Sequence, residues 1–272
     1  SEKDNYTLSR MFKVNVLNSV KLQKLCEKVE SSKYFCVSTD KAANPANLMG
    51  ASKLLMERLL LSGYSSTKTS FARFANVAFS DGSLPAGFLK RLELKQPFSA
   101  PSDIERYFVT KSEAGQICLL SCLFGGDGQI FYPKLDLEVD KISFKNLACN
   151  LLEIKGFTPH ACDTPDEARS MPIDTNKSDI KWPCYFFESD TTGEKVLEEF
   201  YTNSETRLDD NFIDLGIVQK KRRQLPTEDI LSRIKFTFSS HRMKKSDYVA
   251  LVKLIEPNFT HLERGKNLDQ KM

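Results

Sequence analysis

Three adjacent side chains, Thr39, Asp40 and Lys41, offer a hydroxyl, a carboxylate and an ammonium in one short stretch. They follow Ser38 and the apolar run Tyr34-Phe35-Cys36-Val37, so they stand where a short strand runs out. In α/β folds the C-terminal end of a strand opens into a crevice, and chemistry collects there. A carboxylate and an ammonium side by side in such a crevice form an acid/base pair able to move a proton on a bound substrate. Met49 and Lys53 lie four residues apart, so on a helix they share one face and can look into the same crevice. A thioether accepts no proton, so Met49 takes no part in acid/base work.

The elements that must hold these residues can be read on either side. Residues 7–29 carry apolar side chains at Leu8, Met11, Phe12, Leu22, Leu25, Cys26 and Val29, spacings that predict an amphipathic helix. Tyr34–Val37 shows no alternation, which predicts a parallel strand covered on both faces. Asn44 and Pro45 read as the cap and first turn of the helix that carries Met49 and Lys53. Leu54, Leu55, Leu59 and Leu60 form that helix's core face, and Gly63 ends it. Downstream, strands are expected at Thr69–Ala75, within Ser102–Val109, at Gly128–Tyr132 and at Trp182–Phe187. Helices are expected at Phe88–Leu94, from the Thr110-to-Glu113 capping box to Leu123, at Ser143–Lys155, and in a short turn opened by Thr164-Pro165-Asp166-Glu167. Two more are expected at Thr227–Phe238 and Ser246–Ile255, followed by a polar tail.

Composition narrows the function classes. The chain has 272 residues, 40% hydrophobic and 28% charged, as in ordinary globular proteins. A formal net charge of +3 gives no basic excess pointing to nucleic acid, and the run Lys220-Lys221-Arg222-Arg223 reads as a solvated face. No run of about 20 apolar residues suggests a membrane span. The 7 cysteines are scattered and odd in number, which predicts reduced, largely buried thiols in a cytoplasmic protein. Cys118 and Cys122 could share a helix face, but no His or Cys pair completes a zinc site with them, and no metal is expected. His160, His241 and His261 all lie far from the motif in sequence and are expected to be surface or structural.

Ser38-Thr39-Asp40-Lys41 on a strand, followed by Met49 and Lys53 on a helix, resembles the active-site segment of the extended short-chain dehydrogenase/reductases. It is most similar to nucleotide-sugar 4,6-dehydratases, and among them to a branch of UDP-N-acetylglucosamine 4,6-dehydratases with Met where Tyr is usual. Arg73, Phe74, Asn76 and Val77 match the family's R-F-x-N-V segment, with Ala75 where Gly is common. Ser80-Asp81-Gly82-Ser83-Leu84 resembles the loop that opens the substrate domain, Arg106 matches an R-x-F-x-T pattern, and Thr192-Gly193-Glu194-Lys195 resembles a C-terminal segment.

The resemblance implies an α/β fold: a partial Rossmann-like parallel sheet with a smaller mixed substrate-binding lobe. It implies that residues 1–77 are the later half of an NAD-binding domain, with strands returning near 104–132. Residues 78–218 would be mainly the substrate lobe, and 219–272 a helical extension. Thr39, Asp40, Lys41, Met49 and Lys53 would be catalytic. Ser38, Lys53, Ala75 and Val77 would meet the nicotinamide side of NAD, and Asn76, Ser83, Leu84 and Arg106 the UDP-sugar, with Arg106 suited to phosphate by its fork of donors. The implied reaction takes hydride from C4, removes water across C5–C6 and returns hydride to C6. A homo-oligomer is also implied. No G-x-x-G-x-x-G or similar turn occurs, which points to an N-terminally truncated chain lacking the adenosine-binding half. Two alternatives stay open: an epimerase of the same superfamily, and an inactive fragment or partner-dependent module.

Overall fold

The computed structural model describes residues 2, 4–136, 140–174, 178–189, 199–239 and 244–261. The Thr192–Lys195 segment, His241 and the tail from residue 262 lie outside the described residues. The helices are α1 (Asn5–Phe12), running through a π-helical segment (Lys13–Asn18) into α2 (Ser19–Lys28), then α3 (Leu48–Leu60), α4 (Leu84–Glu93), α5 (Lys111–Phe124), α6 (Phe144–Ile154), α7 (Pro165–Ser170), α8 (Thr227–Ser239) and α9 (Lys245–Lys253). The strands are β1 (Tyr34–Val37), β2 (Thr69–Ala72), β3 (Asn76–Val77), β4 (Phe98–Pro101), β5 (Glu105–Val109), β6 (Gln129–Pro133), β7 (Lys141–Ser143), β8 (Thr158–Cys162), β9 (Lys181–Phe187), β10 (Thr206–Leu208) and β11 (Leu215–Gln219).

The chain divides into two compact units. The first comprises Ser1–Ala75, Ser112–Lys134 and Glu198–Glu263, and the described residues of the second lie within Asn76–Lys111 and Leu135–Leu197. The fold is α/β, and the parallel sheet read from the sequence forms in the first unit. Its strand order is β1-β2-β6-β11-β10, parallel from β1 through β6 and then antiparallel to β11 and β10. Both faces are covered. Phe35 packs with Ala72, Ile117, Phe131, Leu215 and Ile217 on the α5 side, while the next residue, Cys36, meets Met56 of α3 at 3.4 Å. Opposite faces one residue apart are what a strand imposes, but as an edge strand β1 is only partly covered, and Val37 at its end is 38% exposed. β10 and all of β11 but its last residue, Gln219, fall within 78–218, expected to be mainly substrate lobe, yet both strands belong to this sheet. Gly216 sits opposite Tyr132, where an added Cβ would lie 2.2 Å from the tyrosine ring. The ring fills the space that glycine leaves.

Two expectations in the helices are corrected. Leu22, Leu25 and Val29, which their spacing places on the apolar face of an amphipathic helix, are exposed, while Val16, Val20 and Gln23 are buried. The π segment inserts extra chain per turn and rotates the stripe that faces the sheet. Gln23 is buried with its amide half satisfied: Nε2 donates to Leu60 O at 2.7 Å and Thr69 Oγ1 at 2.8 Å, while Oε1 has no hydrogen-bond partner among the described residues. The motif helix also begins later than Asn44-Pro45 suggested. A 3-10 turn over Asp40–Ala42 comes first, and Asn47 caps α3 by accepting from Gly50 N at 2.8 Å. Asn44 instead reaches Glu199, at 3.3 Å.

The second unit holds two three-stranded sheets, β3-β5-β7 and the all-parallel β4-β9-β8. Its core is aromatic. Phe88 of α4 stacks on Phe98 at 4.7 Å, Trp182 meets Phe98 and Phe157, and its indole N–H is satisfied by Gln96 O at 3.0 Å. Ala148 and Leu152 of α6 close the cluster. Helix α4 starts at Leu84, earlier than the Phe88 read from the sequence, because Ser83 caps it.

Candidate active site

At the C-terminal end of β1 the chain turns sharply, and three contacts converge on one oxygen. Asp40 Oδ1 accepts from Thr39 Oγ1 at 2.6 Å, from Lys41 N at 2.8 Å and from Lys41 Nζ at 3.2 Å. Asp40 is buried, and among the described residues its second oxygen, Oδ2, makes no hydrogen bond. Lys53, on α3, donates from Nζ to Val37 O at 3.0 Å. The structure thus brings Thr39, Asp40, Lys41 and Lys53 to one strand end. Burial lowers the Lys53 ammonium below the usual lysine range, against the opposing pull of Cys36 and Glu57. Met49 is half-buried on the same helix. Ser38 is buried with its hydroxyl committed to Glu57 Oε1 at 2.6 Å, so this side chain braces the strand end rather than facing outward.

Gly50 sets how closely α3 approaches the turn. A Cβ there would lie 2.4 Å from Lys41 O, a distance that atoms do not tolerate without backbone movement. Gly50→Ala is therefore expected to destabilise the first unit by about 1–3 kcal/mol and to displace the Asp40–Lys41 turn. Gly87→Ala is the matched control, because among the described residues nothing lies within 4 Å of its added Cβ. Thermal unfolding of the two variants checks this, and equal midpoints would reject it.

Ala75 is buried and ends the first unit. Val77, Asn76, Ser83, Leu84 and Arg106 belong to the second. There the Asn76 amide donates to Tyr107 O at 3.4 Å, and Ser83 accepts from Ala86 N at 3.3 Å as a helix cap. Arg106 is only 4% exposed and donates from Nη1 to Glu105 O at 2.7 Å.

The sequence pattern of a family described as polysaccharide biosynthesis protein matches residues 4–219. The chain belongs to that family. CapD, a capsular polysaccharide biosynthesis protein of Staphylococcus aureus, is 33% identical over 147 residues, which is 52% of this chain and 24% of CapD. A UDP-N-acetylglucosamine 4,6-dehydratase (inverting) of Campylobacter jejuni is 28% identical over 138 residues, 48% of this chain and 41% of its own. Among solved structures, a UDP-glucose 4-epimerase of Thermotoga maritima with UDP-glucose superposes with a TM-score of 0.53 at 17% identity, covering 72% of this chain and 63% of that one. At that identity the likeness is one of fold. The chain spans about two-fifths or less of the length of the curated relatives it matches.

In this polysaccharide biosynthesis chain the turn rests on a buried ionic cluster that sequence reasoning missed. Arg73, the first residue of the R-F-x-N-V match, is fully buried. Its guanidinium donates to Glu57 Oε1 at 2.9 Å and Oε2 at 2.7 Å, to Glu205 at 2.9 and 3.1 Å, and to Phe200 O at 3.0 Å. Lys220 joins both carboxylates, at 3.4 Å and 2.8 Å. Burial alone would raise the Glu57 carboxyl, but Arg73, Lys220 and the Ser38 hydroxyl carry it down to about 2. The signal was available, because Glu57 interrupts Leu54-Leu55-Met56 and Leu59-Leu60 while Arg73 interrupts Phe71-Ala72 and Phe74. Two opposite charges inside apolar runs are candidates for each other.

The depressed carboxyl carries a pH dependence. Glu57 stays ionised in the folded chain well below its ordinary value near 4.5. Its contribution is fully present above that value and is lost as pH falls from 4.5 toward 2. A gap of this size corresponds to on the order of 3 kcal/mol. Denaturation midpoints between pH 6 and pH 3 are expected to fall less steeply in Glu57→Gln than in the unaltered chain; parallel slopes would contradict the assignment.

Proposed function

We propose that the protein carrying this chain is an NAD-dependent nucleotide-sugar 4,6-dehydratase. It would convert UDP-N-acetylglucosamine or a close relative to a 4-keto-6-deoxy sugar for polysaccharide or glycan synthesis. The observation that carries this reading is the grouping on Asp40. One oxygen is held by the Thr39 hydroxyl and the Lys41 ammonium, and the other makes no hydrogen bond among the described residues, at the strand end where Lys53 also arrives. Dehydration of a sugar needs a base for a hydroxyl proton, an acid for the departing hydroxyl and a base for the C–H made acidic by the neighbouring ketone. Asp40 Oδ2 is the proton-transfer atom of this scheme, Lys41 its cationic partner, and Thr39 the hydroxyl that orients the carboxylate. Met49 stands where the family's proton-carrying Tyr is usual, which disfavours the epimerase reading.

The cofactor's nicotinamide end fits what the chain offers. Lys53 is half-buried and, among the described residues, its ammonium makes one hydrogen bond, to Val37 O, with further donors for ribose hydroxyls. Ser38 fits less well, since its hydroxyl is committed to Glu57. When bound, NAD supplies the reversible hydride store that keeps the reaction redox-neutral. In this scheme Ala75 and Val77 line the nicotinamide side, and Asn76, Ser83, Leu84 and Arg106 meet the nucleotide sugar. The test is product analysis with the full-length protein and UDP-N-acetylglucosamine. Loss of one water with a new ketone supports the dehydratase; a C4 epimer of unchanged mass assigns it to the epimerases instead. The same scheme includes a homo-oligomer, for which Leu22, Leu25 and Val29 offer an exposed apolar stripe on α2 and the residue after it.

A further inference from the structure

The turn between β8 and α7 gathers three donor atoms of different chemistry. His160 and Cys162 are two apart on β8, so their side chains leave the same face of the strand. Glu167, in the first turn of α7, reaches back to them. A ring nitrogen of His160, Sγ of Cys162 and a carboxylate oxygen of Glu167 all lie within 4.8 Å of one another.

We propose that His160, Cys162 and Glu167 form a mononuclear Zn2+ site with a fourth position open to water. A thiolate with an imidazole and a carboxylate is a donor set that suits zinc, whereas Mg2+ and Ca2+ take oxygen ligands. Zinc–ligand bonds of roughly 2.0–2.3 Å in tetrahedral geometry put donors about 3.5 Å apart. The observed triangle reaches that by contraction, and the exposed Glu167 side chain has the freedom to supply it.

Three features separate this cluster from ordinary edge-strand packing. Glu167 is already aimed: its Oε2 accepts from Asp163 N at 2.8 Å, which leaves the other oxygen for a cation. Its own N–H is held by Thr164 Oγ1 at 3.1 Å, fixing the start of α7 under the strand. The half-buried His160 ring makes no hydrogen bond among the described residues, which leaves its nitrogens open to a cation there. Burial is graded, with Cys162 buried, His160 intermediate and Glu167 exposed, so a cation enters from the Glu167 side and stops at the sulfur. β8 is an edge strand of its sheet, and a bound ion would clip α7 to that edge.

The test uses tag-free protein stripped with a chelator and titrated with Co2+, whose spectrum reports its ligands. Expected are one equivalent bound, a thiolate-to-cobalt charge-transfer band in the near ultraviolet, and bleaching of the band by Zn2+. Cys162→Ser is expected to remove the band. His160→Gln and Glu167→Gln are each expected to weaken Co2+ and Zn2+ binding by about tenfold or more, while Cys118→Ser leaves both unchanged. The two polar variants lie toward solvent and keep the test valid if Cys162→Ser fails to fold. No charge-transfer band, or a band that survives Cys162→Ser or is indifferent to His160→Gln, overturns the proposal.

Discussion

Arg73→Met is expected to cost the first unit about 3–5 kcal/mol, measured by chemical denaturation followed by far-ultraviolet circular dichroism. The substitution removes five hydrogen bonds to Glu57, Glu205 and Phe200 O. It leaves two carboxylates, one of them fully buried, sharing a single lysine. That is why breaking the pair costs far more than the pair contributes when intact: an uncompensated buried charge is the expensive state. Adding Glu57→Leu to Arg73→Met should therefore recover part of the loss, and the coupling between the two sites follows from a double-mutant cycle. An Arg73→Met variant as stable as the parent would show that water or a rearranged Lys220 replaces the guanidinium at no cost.

Asp40→Asn is expected to lower turnover of the full-length protein by about 10²–10⁴-fold while leaving its unfolding midpoint nearly unchanged. Asparagine keeps the shape and an acceptor for the Thr39 hydroxyl and the Lys41 amide. What it loses is the ability of the second oxygen to take or give a proton. The separation of activity from stability is the point of the experiment. A variant that retains full turnover would move the proton transfer elsewhere, and one that loses both would make Asp40 a packing residue. Lys41→Met complements it, since it removes the ammonium 3.2 Å from Asp40 Oδ1 and leaves the backbone amide contact in place.

The motif helix and its strand were legible because their signals are local. Tyr34–Val37 is short and apolar, Met49 and Lys53 are one turn apart, and the leucines of α3 keep helical spacing. The helix start was misread for an equally local reason: Asn44-Pro45 imitates a cap and first turn, and only the 3-10 turn over Asp40–Ala42 makes Asn47 the better-placed acceptor. The exposed side of α2 was misread because no periodicity announces a π segment. β8, β10 and β11 escaped notice because they are short or carry Pro159 or Gly216, residues that weaken a strand signal. The grouping of His160 and Cys162 with Glu167 was equally hidden, since only the β8–α7 turn brings the glutamate back to the strand.

The sheet order β1-β2-β6-β11-β10 has a consequence for biosynthesis. β6 is complete at Pro133, yet its second neighbour is made only at Leu215–Gln219, after residues 135–197 have been translated. At roughly 5–20 residues per second, a nascent chain carries Ile130, Phe131 and Tyr132 on an unpaired edge for several seconds. A ribosome stalled within that window would release a species with a sticky rim, so chaperone demand for this chain should peak before its last two strands emerge and drop once they do.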